Sequence, residues 1–185
     1  MEEKIRELLV YIGENPDRKG LVKTPARVLC SWQEIFAGYH QDAREVFTVF
    51  ENTDNCNQIV LLKDIEFYSM CEHHMLPFYG KMHIAYLPDK KIIGISKLAR
   101  LADIYTRRLQ IQERIGEQIT SDIMQYLSPK GAACVIEGIH LCMRMRGINR
   151  QHSIMVTSSL RGVFLNNTTV RAELLQLIQL TSNAG

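Results

Sequence analysis

The segment Cys71-Glu72-His73-His74 sets a thiol, a carboxylate and two imidazoles side by side, and Met75-Leu76-Pro77 then turns the chain away. Thiolate and imidazole together favour zinc, whereas magnesium and calcium take oxygen ligands. A cysteine and a histidine separated by two residues can close on one ion, so Cys71 and His74 form a first pair and His73 is left free beside them. A tetrahedral ion needs more donors. The stretch beginning at Ala132 reads as a long strand. Its period of two puts Ala132, Cys134, Ile136, Gly138, His140, Cys142, Arg144 and Arg146 on one face. The other face, Ala133, Val135, Ile139, Leu141, Met143 and Met145, is apolar apart from Glu137 and is expected to be core. Cys71, His74 and Cys142 as ligands leave a fourth position for water, as catalytic zinc requires; adding His140 closes an inert structural shell instead. Spacing alone leaves both arrangements open.

A second group of residues is cationic. Lys97 and Arg100 stand three apart at the start of a helix, where free amide groups and the helix dipole already favour an anion. Arg144, Arg146 and Arg150 continue the positive character beyond the candidate metal strand, and arginine forks match phosphate oxygens in pairs. Arg107 and Arg108 fit a solvated face better. Gln112-Glu113 opens the next helix. There a carboxylate is favoured by the dipole alone, but it could also accept the adjacent ring N–H and amino donors of a guanine edge. Cys30, Cys56 and Cys134 read as ordinary buried or loop cysteines.

The elements that must position these groups follow from periodicity. A short amphipathic helix carries Ile5, Leu8, Leu9 and Ile12 and stops at Gly13. A second opens at Thr24-Pro25, with the threonine as cap, carries Val28, Leu29, Trp32, Ile35 and Phe36, and ends at Gly38. The polar run 51–57 is a loop. Strands are expected over Ile59–Leu62, Ile65–Tyr68, Lys81–Leu87 and Lys91–Gly94, the last two joined through Pro88-Asp89. A helix capped by Ser96 presents Leu98, Leu101, Ala102 and Tyr105, and another presents Ile111, Ile115, Ile119 and Ile123 up to the stop at Ser128-Pro129-Lys130-Gly131. After a strand over Ile154–Ser158, a closing helix turns Leu174, Leu177 and Ile178 inward. The pattern implies an α+β fold with an antiparallel sheet, helices packed on one face and a helical lead over 1–45 before a core over 46–185, all in one domain of 1–185.

With 185 residues, 46% of them hydrophobic, one core is expected; a net charge of +2 gives no reason to expect nucleic-acid binding. No run approaches the ~18 apolar residues of a membrane span, no basic-then-apolar leader opens the chain, and five irregularly spaced cysteines do not suggest a disulfide framework. A soluble, cytoplasmic protein without a membrane partner is expected.

Four segments in order resemble the type I GTP cyclohydrolase family: Cys71-Glu72-His73-His74, Gly94-Ile95-Ser96-Lys97-Leu98-Ala99-Arg100, Gln110-Ile111-Gln112-Glu113-Arg114 and His140-Leu141-Cys142-Met143. The lead Gly20-Leu21-Val22-Lys23-Thr24-Pro25-Ala26-Arg27 and the tail near Thr157-Ser158 extend the resemblance over nearly the whole chain. It implies zinc-dependent hydrolysis of GTP to dihydroneopterin triphosphate and formate, the entry to tetrahydrofolate and related pterins. His73 would protonate the purine ring and His140, outside the ligand shell, would be the second proton carrier. Glu113 and the backbone near Gln112 would hold the guanine edge, and Ser96, Lys97, Arg100, Arg146 and Arg27 would gather the triphosphate. The resemblance also implies the tunnelling fold, assembled as a homodecamer of two stacked pentamers. It is loosest at Arg144 and from Asn149 to Ile154.

Overall fold

The computed structural model describes residues 1–180; the end of the expected 1–185 domain, residues 181–185, lies outside the described residues. Two lead helices, α1 (Glu2–Tyr11) and α2 (Thr24–Ile35), are followed by 3-10 turns at Ala37–His40 and Ala43–Val46. Then come β1 (Val49–Glu51), β2 (Val60–Cys71), β3 (Pro77–Leu87), β4 (Lys91–Ile93), α3 (Ile95–Thr106), β5 (Leu109–Gln110) and α4 (Gln112–Asp122). A π-helical turn over Ile123–Leu127 leads to β6 (Gly131–His140), α5 (Leu141–Arg144), β7 (Met155–Gly162), α6 (Val163–Asn166) and α7 (Thr168–Gln179).

The main sheet has the order β5-β2-β3-β6-β7, antiparallel except for the short parallel pairing of β5 with β2. Its register decides where the core lies. Phe67, Phe78, Met82, Ile84, Tyr86, Ala132, Cys134 and Ile136 are all buried. They meet Leu98, Leu101, Ala102 and Tyr105 of α3 and Ile115 and Ile119 of α4 in one cluster. Burying about 1.5–3 kcal/mol of side-chain transfer energy per such residue fixes both helices on this face. Among the described residues the opposite face is covered at one end only, where α6 and α7 bring Phe164 and Leu174 against Ala85 and Ala133. Farther along it Glu137 is exposed and Ile139 partly so, and Tyr68 stacks on Tyr79 at 5.8 Å. Of the face expected to be core, Ala133 and Val135 are buried and Ile139 is partly so; Ala133 belongs to the smaller cluster under α6 and α7, and the larger core lies on the side of Cys134 and Ile136.

Several local expectations also change. Ile59–Leu62 and Ile65–Tyr68 are one strand with a bulge between Leu62 and Ile65, where Asp64 adopts φ 58°. β4 pairs with β1, not with β3, so Pro88-Asp89 does not close a hairpin within the sheet. Thr24 and Ser96 do not cap their helices. α2 starts at Thr24 itself behind Lys23 and α3 starts at Ile95 behind Gly94, with no side-chain capping bond at either end. Gly38 lies in the 3-10 turn beyond α2, and a Cβ there would meet the Ile104 carbonyl oxygen at 2.1 Å. No described helix is long and apolar enough to cross a membrane.

The largest correction concerns the residues after His140. β6 stops there because its partner stops: Phe78 faces His140, and the preceding residue of β3, Pro77, has no N–H to continue the ladder. Residues 141–144 roll into the helical turn α5, closed by Met145 N–H donating to the Leu141 carbonyl at 3.0 Å. Cys142, Arg144 and Arg146 are thus not on a strand with His140.

Candidate metal centre and proton-transfer site

Cys71 is the last residue of β2 and faces the helix-covered side of the sheet with Phe67 and Ser69; it is buried. The chain then turns back into β3. Cys71 N–H donates to the Leu76 carbonyl at 2.9 Å, Met75 N–H donates to the Cys71 carbonyl at 2.8 Å, and Met75 takes φ 52°. This tight return swings His74 back beside Cys71, with Nδ1 3.8 Å from Sγ. His73 Nδ1 lies at the same 3.8 Å from Cys71 Sγ, so that distance alone does not choose between the two histidines. Cys142 does: donor atoms of Cys71, His74 and Cys142 all lie within 4.8 Å of one another. Tetrahedral zinc holds donors roughly 3.5–3.8 Å apart, so two sulfurs and one imidazole nitrogen here fit the ion with little adjustment. Burial, reinforced by the adjacent Cys71 sulfur, pushes the Cys142 thiol above its ordinary range. A cation at the centre would reverse that tendency.

His140 stands next to this cluster, held from two sides. Its ring stacks on Phe78 at 4.6 Å and 5°. Its Nε2 is 3.0 Å from Oε1 of Gln112, the first residue of α4. The orientation of that amide is determined by its nitrogen, which donates to the carbonyls of Ile136 and Met155 at 3.0 Å and to Thr157 Oγ1 at 3.1 Å. Since the amide oxygen must then accept, His140 Nε2 carries the proton and Nδ1 is the basic atom. Burial holds the imidazole below its usual range, against the pull of Glu113. The Gln112 side chain is 1% exposed and fully engaged, so what it can offer a ligand is its backbone N–H. Glu113, the next residue, is exposed in the first turn of α4.

The cationic residues are more dispersed. Arg146 follows α5 closely enough to favour the Cys142 thiolate. Ser96 and Arg100 are exposed and Lys97 half-buried in the first two turns of α3. Arg100 borders a 420 Å³ cavity with Gln41, Asp42 and Glu45. Arg27 is exposed on α2, which packs chiefly on α1 and the 37–40 turn. Arg144 donates to the Ser153 carbonyl at 3.2 Å, while its buried Nε has no partner among the described residues.

Residues 1–179 match the family model described as GTP cyclohydrolase I. The chain belongs to the GTP cyclohydrolase I family. GTP cyclohydrolase 1 of Wolinella succinogenes is 53% identical over 174 residues, covering 94% of this chain and 92% of that one. The Deinococcus radiodurans protein of the same name is 49% identical over 179 residues, covering 97% and 83%. A crystal structure of an archaeosine synthase QueF-Like protein in the apo form is similar with a TM-score of 0.48 at 13% identity, over 57% of this chain and 94% of that chain.

Within this GTP cyclohydrolase I family chain, three features of the site escape a reading of spacing. Phe78 carries no polar signal, and its stacking on His140 depends on strand register. Gly138 does carry one, because glycine inside a strand often marks a close approach: a Cβ there would lie 2.0 Å from Gln112 Oε1. The third is Arg114 of α4, whose fork reaches Glu72 at 2.5 and 3.1 Å.

Proposed function

We propose that this chain hydrolyses GTP to 7,8-dihydroneopterin triphosphate and formate at a zinc ion held by Cys71, His74 and Cys142, the first step towards tetrahydrofolate and related pterins. Family membership supports the reaction, and the observation that carries the site is the closure of three soft donors beside an oriented histidine. Zinc bound there supplies Lewis acidity and activates water for attack on carbon.

The remaining chemistry falls to the protein's own groups. Opening the imidazole ring of guanine requires a proton at a ring nitrogen as the bond to carbon breaks. His73, with its side chain 65% exposed beside the donors, is free to swing in and deliver it. His140 is fixed, with Nε2–H given to Gln112 and Nδ1 available to move protons in ring opening and the later ribose rearrangement. The Glu113 carboxylate accepts from the guanine edge beside the free amides at the start of α4, and a site built to make those bonds rejects bases that lack the donors. Ser96, Lys97, Arg100 and Arg146 gather the triphosphate, the α3 residues around a helix N-terminus. Arg27 joins them from the lead helices.

Assembly as a homodecamer in the tunnelling fold fits the open sheet. β5 covers only the last two residues of β2, and β7 ends the sheet on the other side. Five free cysteines fit a reducing, cytoplasmic setting. An inert four-ligand zinc module that includes His140 is less well supported, since the donors that gather within 4.8 Å of one another among the described residues are those of Cys71, His74 and Cys142, without His140. Incubation of zinc-loaded protein with GTP should release formate and a pterin that fluoresces after oxidation. Zinc-replete protein that yields neither would sink the proposed reaction.

A further inference from the structure

The turn that carries Cys71 and His74 is exposed over His73, His74 and Met75. Its backbone bonds are mostly internal; one, from Glu72 N–H to the Gln110 carbonyl at 3.1 Å, reaches the β5–α4 junction. Glu72 adds a side-chain connection to the same place. Arg114 Nη1 donates to Glu72 Oε2 at 2.5 Å and Nη2 to Oε1 at 3.1 Å, and Nη1 also lies 3.5 Å from Gln110 Oε1. Gln110 is itself fixed, its amide nitrogen donating to the Tyr105 carbonyl at 3.0 Å and to Gln118 Oε1 at 2.7 Å. The two ends of the fork differ in rigidity. α4 is anchored by buried Gln112, Ile115, Gly116 and Ile119, whereas the turn has little beneath it but Cys71.

An ion pair this exposed, with side chains 42% and 31% accessible, contributes little to global stability. A two-bond arginine–carboxylate fork nevertheless fixes distance and angle together, which a single contact or a lysine does not. Glu72 lies between Cys71 and the histidines, and Arg114 directly follows Glu113, so the fork joins the metal turn to the helix turn that faces the base.

We propose that Arg114 is a positioning residue: through its fork to Glu72 it holds the Cys71–His74 turn against the first turn of α4, keeping the metal donors and His73 in register with Glu113 and His140. This rests on the zinc site and reaction proposed above.

The test compares Arg114→Gln, Glu72→Gln, the double variant and Arg114→Lys, each zinc-loaded. Zinc transfer to a chromogenic chelator, steady-state GTP kinetics and thermal unfolding are measured for each. Partners one step outside a metal shell typically change affinity or activity 10–100-fold, so each single glutamine variant should release zinc about tenfold faster and lose about tenfold in kcat. KM for GTP should stay within about threefold, because α4 keeps its own anchors. The double variant should be no worse than either single one, and Arg114→Lys should resemble Arg114→Gln more than the parent. Parental zinc release and kcat in the single variants, additive losses in the double variant, or full recovery with lysine would each overturn the assignment. If the parent holds zinc but makes no formate from GTP, the proposed reaction falls, and the zinc-release comparison still decides whether Arg114 positions the turn.

Discussion

Replacing Gly138 by alanine should disable His140 chiefly by dislodging its partner Gln112, although the added Cβ would also lie 3.3 Å from His140 Nε2. The added Cβ would sit 2.0 Å from Gln112 Oε1 and 3.1 Å from its Cδ, well inside contact distance. The Gln112 amide has no free space, being 1% exposed and bonded on both of its ends, so it must leave its place. Its two N–H protons, shared among three acceptors, and its oxygen make about three hydrogen bonds at a time. At roughly 1 kcal/mol each, the loss is about 3 kcal/mol. For a chain of this size that lowers the melting temperature by roughly 6–12 °C. His140 loses the partner that keeps the proton on Nε2, and a general acid–base group that is no longer oriented should cost about 10²-fold in kcat. Unfolding scans and formate release, the latter well below the transition, measure the two effects separately. Gln112→Met is the companion variant, since it removes the same bonds without a clash, and the two kcat values should agree within about threefold. Gly138→Ala with parental turnover would refute the reasoning. So would a slow Gly138→Ala beside a fully active Gln112→Met, because the clash would then act somewhere other than on the amide.

Three further outcomes are expected. Cys142→Ala should lose both zinc, by metal analysis after dialysis, and turnover, whereas His73→Ala should retain zinc and lose at least about 10²-fold in kcat; retention in the first or loss in the second would reverse their roles. Glu113→Gln should raise KM for GTP by about tenfold or more and leave metal content unchanged, because a neutral amide presents one acceptor and a mismatched donor to the base. His83 gives a pH signature. Burial is the main cause lowering its folded pKa below 6.5; Asp64 and Glu137 oppose the shift, and Lys63 and Lys81 add to it. The unfolded chain therefore takes up the proton first as pH falls, so stability complete above 6.5 is lost as pH drops from there towards the folded value. Protonation also replaces the acceptor that His83 Nδ1 offers to Asp64 N–H at 3.1 Å in the β2 bulge. His83→Gln should flatten the fall in urea midpoint between about pH 7 and pH 5.5, and an unchanged slope would assign that loss to other groups.

What the sequence by itself determined is what short-range chemistry controls. Cys71 and His74 lie three residues apart in a tight turn that brings their side chains to 3.8 Å, so their closeness is legible from spacing, though His73 comes equally near and Cys142 is what singles out His74. Leu98, Leu101, Ala102 and Tyr105 recur at helical spacing and are all buried in α3, because a helix shows one face to the core wherever that core lies. Two-fold alternation likewise places Cys134, Ile136, Gly138 and His140 on one side of β6. Alternation could not show where β6 ends. Leu141-Cys142-Met143-Arg144 satisfies both a strand and a helical turn, and the choice rested with Pro77, 64 residues before Leu141 in sequence and beside His140's partner in the sheet. Nor could it show which face of β6 would carry the larger core, since both are apolar and the packing of α3 and α4 on one of them decides. The tertiary structure alone gives Gln112 its task. The groups that orient its amide come from β6 and β7, 24 to 45 residues away, and no local pattern encodes contacts across that separation.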